Sequence, residues 1–321
     1  HSTNAYFIPN TEVTVYSCRT NLPPNTAFRG FGAPQGMFVI ESAIAKAAAG
    51  LNIPARKIQQ ANLLNENDEF QYGQFAKDTR VRKCYDTLLR RHNIDKIADE
   101  IAAFNASNST VRRGIALMPV CFGISFTNTT MNQARALVHI YQDGSIGIST
   151  GAIEMGQGVN TKLAQVAAAI FSVDISRVKV ESTNTTRVAN TSPTAASSGA
   201  DLNGNALIIA CHGLLKRLKD VAATMCDCSS DDIRIENGQI LRNGTNTDIT
   251  WNQLIHKAFL SRISLTENGH YSTPYIYFDK TKEKGHPFAY HVYGAAAITV
   301  TLDCLRGIYT IDEALIVHDF G

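Results

Sequence analysis

The chain has no run of 18 or more apolar residues, which excludes a membrane-spanning helix. It has little net charge: 30 Lys and Arg against 28 Asp and Glu leave +2, so no polyanionic partner is called for. Its densest basic group, Arg80, Arg82, Lys83, Arg90 and Arg91, reads as the solvated face of a helix, and nucleic acid is not an expected ligand. There is no G-x-S-x-G elbow, no H-E-x-x-H and no pair of carboxylates in a loop, so hydrolytic machinery is missing. Cys226 and Cys228 form a C-x-C pair without a second pair at ligand spacing, and no zinc site is expected. The seven cysteines are odd in number and scattered; Cys121 and Cys211 sit in apolar runs, which fits reduced thiols in the cytoplasm. No initiating methionine precedes His1-Ser2-Thr3-Asn4, and the chain reads as an internal piece of a longer protein.

What remains, 321 residues at 44% hydrophobic content, is enough for a full core and about two domains. EVTVYSC at 12–18 alternates and predicts a strand. Period-3.6 patterns predict helices over 34–50, 54–64 and 81–104, the last broken near His92-Asn93. The polar run at 105–110 marks a boundary between lobes at 1–110 and 111–321. Beyond it, strands are predicted over 114–126, in RALVHIYQ and in IGISTG, with Asp143-Gly144 as a turn. A helix after Gly158, a short strand at 178–181 and a long helix over 199–225 follow. Asn237-Gly238 makes a hairpin, 251–260 is helical, and 289–303 and 307–318 are two long strands. Strands and helices without a strict βαβ period predict an α+β fold of two lobes, with mixed or antiparallel sheet and packed helices.

Three loops place glycine or small residues immediately before a helix, at 30–33, 156–158 and 191–199. Each sets backbone N–H groups at a helix N-terminus, where an anion is favoured. With Gln35, Gln157, Thr191, Ser192 and Thr194 as further hydrogen-bond partners, they suggest a multidentate anionic cofactor, although none has Walker A or Rossmann spacing. Glu154, the one carboxylate in these loops, is expected to be satisfied by nearby backbone N–H groups and not to act as a general base. Phe31 and Phe126 are either core plugs or the walls of a slot for a planar heteroaromatic.

RTNLPPNTAFRGFGAPQ at 19–35, FGISFT at 122–127, EMGQG at 154–158 and TSPTAAS at 191–197 occur in one order along nearly the whole chain. In these stretches the chain resembles the molybdenum-cofactor domain of the molybdenum hydroxylases, the xanthine dehydrogenase and aldehyde oxidase family, most closely the xanthine dehydrogenases. The resemblance implies a molybdenum–molybdopterin cofactor, hydroxylation of a purine or related heteroaromatic with oxygen from water, and electron exit through 2Fe-2S clusters and FAD on other domains or subunits. It implies a parent that is a dimer of such units. Carried over by position, Phe31 and Phe126 would sandwich the substrate, with Thr127 beside it. Phe28, Met155, Gly156, Gln157, Thr194, Ala195 and Ser197 would contact the cofactor, and Arg29 and Ala196 would lie against the metal ligands. The family's general-base glutamate belongs to a V-G-E-P-P motif that does not occur in this sequence. The chain taken alone is therefore expected to be an inert scaffold. Asn128 stands where the animal enzymes are apolar.

Overall fold

A computed structural model describes residues 2–23, 27, 29–181 and 183–320. The chain divides into two units, His1–Thr127 with Ile276–Gly321, and Asn128–Tyr275.

In the first unit, apolar residues at helical spacing give α1 (Ala33–Leu51), which buries Ala33, Met37, Ile44 and Ala48. It is followed by α2 (Ala55–Asn62), α3 (Val81–Arg91) and α4 (Ile94–Ser107). The break between α3 and α4 falls at Asn93, whose φ of 47° is the left-handed conformation that asparagine tolerates best after glycine. Next in the chain, β1 (Val111–Ile124) runs antiparallel to β11 (Tyr290–Asp303), which pairs on its other side with β12 (Ile308–Asp319). Alternation decides which residues face the core: Tyr293, Ala295 and Ala297 on β11 join Cys121, Val81, Tyr85 and Leu88 in one buried cluster. The ribbon β9 (Tyr277–Asp279) and β10 (Lys284–His286) completes this unit.

In the second unit, β2 (Gln133–Ile140), β3 (Ile146–Thr150), β4 (Val178–Val180) and β8 (Thr266–Ser272) form a sheet in the order β4-β3-β2-β8. The helices α5 (Val159–Phe171) and α6 (Gly199–Cys226) pack against it through Leu163, Ala167, Leu207, Ala210, Leu214 and Leu218. A three-stranded meander, β5 (Ile233–Glu236), β6 (Gln239–Arg242) and β7 (Thr245–Thr250), leads into α7 (Trp251–Leu260). Thr250 and Gln253 form a capping box there, and Trp251 Nε1 donates to Gly144 O at 2.8 Å. The α+β architecture is thus the one the sequence predicts.

Three expectations differ from the structure. Residues 12–18 form no strand; Val13, Val15 and Tyr16 are all exposed, and among the described residues no partner strand satisfies their backbone. The unit boundary falls after Thr127 and not at residue 110, where α4 and β1 are joined closely. Asn105 receives the Arg113 N–H at 2.8 Å and donates to Arg113 O at 2.8 Å, and the Arg113 guanidinium lies 4.1 Å from the centre of the Phe104 ring. Strand β8, TENGHYS, was not predicted, because its polar residues and glycine hide a strand pattern.

Candidate cofactor-binding loops

In the first unit, residues 30–32 are all left-handed, with φ of 98° at Gly30, 41° at Phe31 and 88° at Gly32. A side chain at Gly30 would meet Pro34 Cγ at 2.8 Å, so this glycine is needed both for its φ and for its space. The turn is sewn onto α1: Ala33 N donates to Gly30 O at 3.1 Å and Gly36 N to Gly32 O at 3.0 Å. Phe31 is 64% exposed and does not plug the core. Arg29 is exposed, and Phe28 lies outside the described residues. The amides of α1 are a poorer anion site than the sequence suggests, because that of Ala33 is bonded inside the loop and Pro34 has none.

Also in this unit, β1 ends at Ile124 and the chain turns out of the sheet at Ser125, buried with φ of 142°. A Cβ on Gly123 would collide with the Phe288 ring, and Ala289 N bonds to Ile124 O at 3.0 Å, so both sides of the turn are held. This breaks the strand's alternation and leaves Phe126 half-buried and Thr127 exposed. A cavity of about 740 Å³, lined by Gln74, Lys77, Arg80, Tyr277, Ala289 and His291 among others, includes neither Phe126 nor Thr127. Burial pulls the His291 imidazole down to about 4, and its Nε2 lies 3.0 Å from Tyr72 Oη.

In the second unit, the stretches 151–158 and 191–198 come together. Ile153 N donates to Thr194 Oγ1 at 2.9 Å, and a Cβ at Gly151 would lie 2.5 Å from Thr191 Oγ1. The EMGQG segment is bonded within itself. Glu154 Oε1 accepts from Gly156 N and Gly158 N, both at 2.9 Å, and Oε2 accepts from Asn160 N at 3.2 Å. These donors, the Gly158 N–H foremost, hold the Glu154 carboxyl below its usual value of 4.5. Glu154 is therefore satisfied by backbone N–H groups, as expected, and the start of α5 already carries an anion from its own chain. Gln157 closes the loop, donating from Nε2 to Ile153 O at 2.8 Å and accepting Met155 N at 2.6 Å. Met155 and Gly156 remain exposed.

Before α6, Ala196 and Ser197 are consecutively left-handed, with φ of 52° and 54°. Two such non-glycine residues cost on the order of 1–3 kcal/mol each. Ala195 and Ala196 are half-buried and Ser197 is exposed, whereas Ser198 is buried and returns its Oγ and N–H to Ala195 O at 3.0 and 3.2 Å. Ser198 therefore bonds back into the loop and does not cap α6. One turn further on, the buried Asn203 Oδ1 has no partner among the described residues, while its Nδ2 donates to Gly199 O at 2.9 Å.

A pterin edge carries both hydrogen-bond donors and acceptors. Small residues with strained, close-approach backbone, an unpartnered buried carbonyl and amide side chains fit such a group better than they fit a bare phosphate. The molybdopterin cofactor-binding domain matches this chain over residues 87–321, and a second domain of that description matches over residues 1–63.

The chain belongs to the molybdopterin cofactor-binding domain family.

Within this family it is 37% identical over 324 residues to the xanthine dehydrogenase of Dictyostelium discoideum. It is 38% identical over 321 residues to that of Oryza sativa subsp. japonica. Each match covers 100% of this chain but 22% of the relative, so the chain spans about a fifth of the length of these proteins. Among solved structures, quinoline 2-oxidoreductase from Pseudomonas putida superimposes with a TM-score of 0.74 over 92% of this chain and 38% of that one, at 20% identity. The aldehyde oxidoreductase of Desulfovibrio desulfuricans gives 0.71 over 92% of this chain and 29% of that one, also at 20% identity. These likenesses show the fold. No described helix of this family member is long and apolar enough to cross a membrane.

Removing the Glu154 charge tests the second-unit loop. Because the folded carboxyl is held below 4.5, its contribution is present above that pH and disappears as pH falls through the lowered value. Glu154→Gln is expected to speed amide exchange at 156–160 at neutral pH. It should also flatten the pH dependence of that exchange below 4.5, both read by hydrogen exchange with mass spectrometry.

Proposed function

We propose that the protein to which this chain belongs hydroxylates a purine of the hypoxanthine or xanthine class, with oxygen from water. The observation that carries the reading is the 37–38% identity to xanthine dehydrogenases along the whole chain. Molybdenum–molybdopterin, when bound, supplies the oxidation and the water-derived oxygen. Met155, Gly156, Gln157, Thr194, Ala195 and Ser197 of the second unit would hold the pterin and Ala196 would serve the metal; by the same resemblance Phe28 would be a cofactor residue and Arg29 a metal-site residue. Phe31 and Phe126 orient the planar ring by stacking, with Thr127 at its edge. Gln157 keeps a second Nε2–H and a second Oε1 lone pair for the pterin while its bonds to Ile153 O and Met155 N hold the loop closed. Iron–sulfur clusters and FAD on other domains or subunits take up the electrons, and the general base comes from outside residues 1–321.

The test is to purify the complete parent with its partners and measure NAD reduction driven by hypoxanthine. Turnover at full molybdenum loading is the expected result. Molybdenum-loaded enzyme that oxidises aldehydes but no purine would overturn the substrate assignment and favour an aldehyde-oxidase-type activity. The 321-residue chain assayed alone is expected to be inactive.

A further inference from the structure

A shell of uncharged donors closes around Glu41 in the middle of α1. Tyr6 Oη donates to Glu41 Oε1 at 2.7 Å, Asn4 Nδ2 to the same oxygen at 3.2 Å, and Gln59 Nε2 to Oε2 at 2.8 Å. The shell is anchored in turn. Tyr85 Oη donates to Gln59 Oε1 at 2.6 Å, while Asn4 and Gln59 also donate to the β1 carbonyls of Pro119 and Leu117 at 2.6 and 2.8 Å. One carboxylate thus joins the N-terminal segment, α1, α2, α3 and β1, all within the first unit. No ion pair to Glu41 occurs among the described residues. Each of its three neighbours donates, so the geometry suits the ionised form, although burial pushes its pKa up. A half-buried carboxylate met by directed donors specifies an arrangement more sharply than apolar contact does.

The other inward side chains of α1, Ala33, Met37, Ile44 and Ala48, are small, flexible or apolar, and they tolerate a slide or rotation. The three hydrogen bonds do not. The turn at 30–32 is bonded to the first turn of α1, so it moves with that helix. Glu41 sits nine residues beyond Gly32, about 13 Å along the axis.

We propose that Glu41 is a positioning residue that fixes the rotation and axial setting of α1, and through it the placement of Phe31 and the Arg29 backbone. Its consequence for turnover rests on the function proposed above, whereas its consequence for the loop does not.

The experiment compares Glu41→Gln and Tyr6→Phe with wild type in the complete parent enzyme. In Glu41→Gln, amide exchange over 29–37 is expected to be at least about tenfold faster, with a smaller increase in Tyr6→Phe and no change at 159–171. KM for the purine is expected to rise several-fold at constant molybdenum content and nearly constant kcat, a split that general loss of stability would not give. Wild-type exchange at 29–37 in folded Glu41→Gln overturns the proposal. If that variant does not fold, wild-type exchange in Tyr6→Phe does the same. A parent without purine turnover removes only the KM arm, and exchange then decides.

Discussion

Gly269→Ala is expected to destabilise the second unit by about 3 kcal/mol, because overpacking of this kind cannot be relieved by a rotamer change. A Cβ at Gly269 would overlap the carbonyl oxygen of Ala206 and lie 2.9 Å from Ala210 N, both backbone atoms of α6. Ala206 and Ala210 are one helical turn apart and buried, so the small face of α6 is what lets the helix lie directly on β8. Relief would require α6 to move off the sheet and open the contacts of Leu207, Cys211 and Leu214. For a unit of this size the loss corresponds to about 10 °C in Tm, measurable by calorimetry. Gly204→Ala in the same helix is the control: its Cβ would meet nothing within 4 Å, and helix propensity predicts a gain of about 0.5–1 kcal/mol. If Gly269→Ala melts like wild type, α6 does not sit on β8 as described.

Phe31→Ala is expected to do the opposite, costing activity and not stability. The ring is 64% exposed, so truncation should shift unfolding by no more than about 0.5 kcal/mol. If Phe31 forms one wall of an aromatic slot in the parent enzyme, loss of base–aromatic stacking is worth about 1–3 kcal/mol, or about 5- to 150-fold in kcat/KM for a purine. Phe126→Ala should match it in kcat/KM but also lower Tm, because Phe126 is half-buried. Steady-state kinetics beside a melting curve separate the two variants. A Phe31→Ala enzyme with wild-type kcat/KM would remove Phe31 from the substrate site.

Where sequence reading succeeded, a local rule and the tertiary environment agreed. Asn93 stops α3, Asn237 and Gly238 take φ of 51° and 73° in a two-residue hairpin, and Pro34 sits in the first turn of α1. It failed where a pattern depends on partners that residue spacing does not reveal. Residues 12–18 alternate convincingly, yet alternation supplies no strand to pair with. The run at 105–110 looks like a linker, but Asn105 lies in the last turn of α4 and its side chain holds the Arg113 backbone. The candidate site shows the same division. Glycine spacing located the loops and family resemblance supplied the roles. Backbone donors for Glu154 were legible in advance, but not that they include Asn160 N in the first turn of α5, nor that Thr194 ties one loop to the other. Glu41 belongs to no motif and falls outside the helical periodicity, so the network around it in the first unit emerges only from the structure.

The pairing of β1 with β11 has a consequence for the order in which the protein is made. Ile124 and its partner Tyr290 are separated by the entire second unit. At typical elongation rates, β1 leaves the ribosome on the order of ten to thirty seconds before β11 exists. Throughout that interval its apolar face has no sheet to join, while the intervening unit holds all the strands of its own sheets and can finish folding. A nascent chain whose residues up to 275 have cleared the ribosome while 290–303 have not would therefore present one folded body and one exposed, aggregation-prone strand, a natural client for a chaperone until β11 emerges.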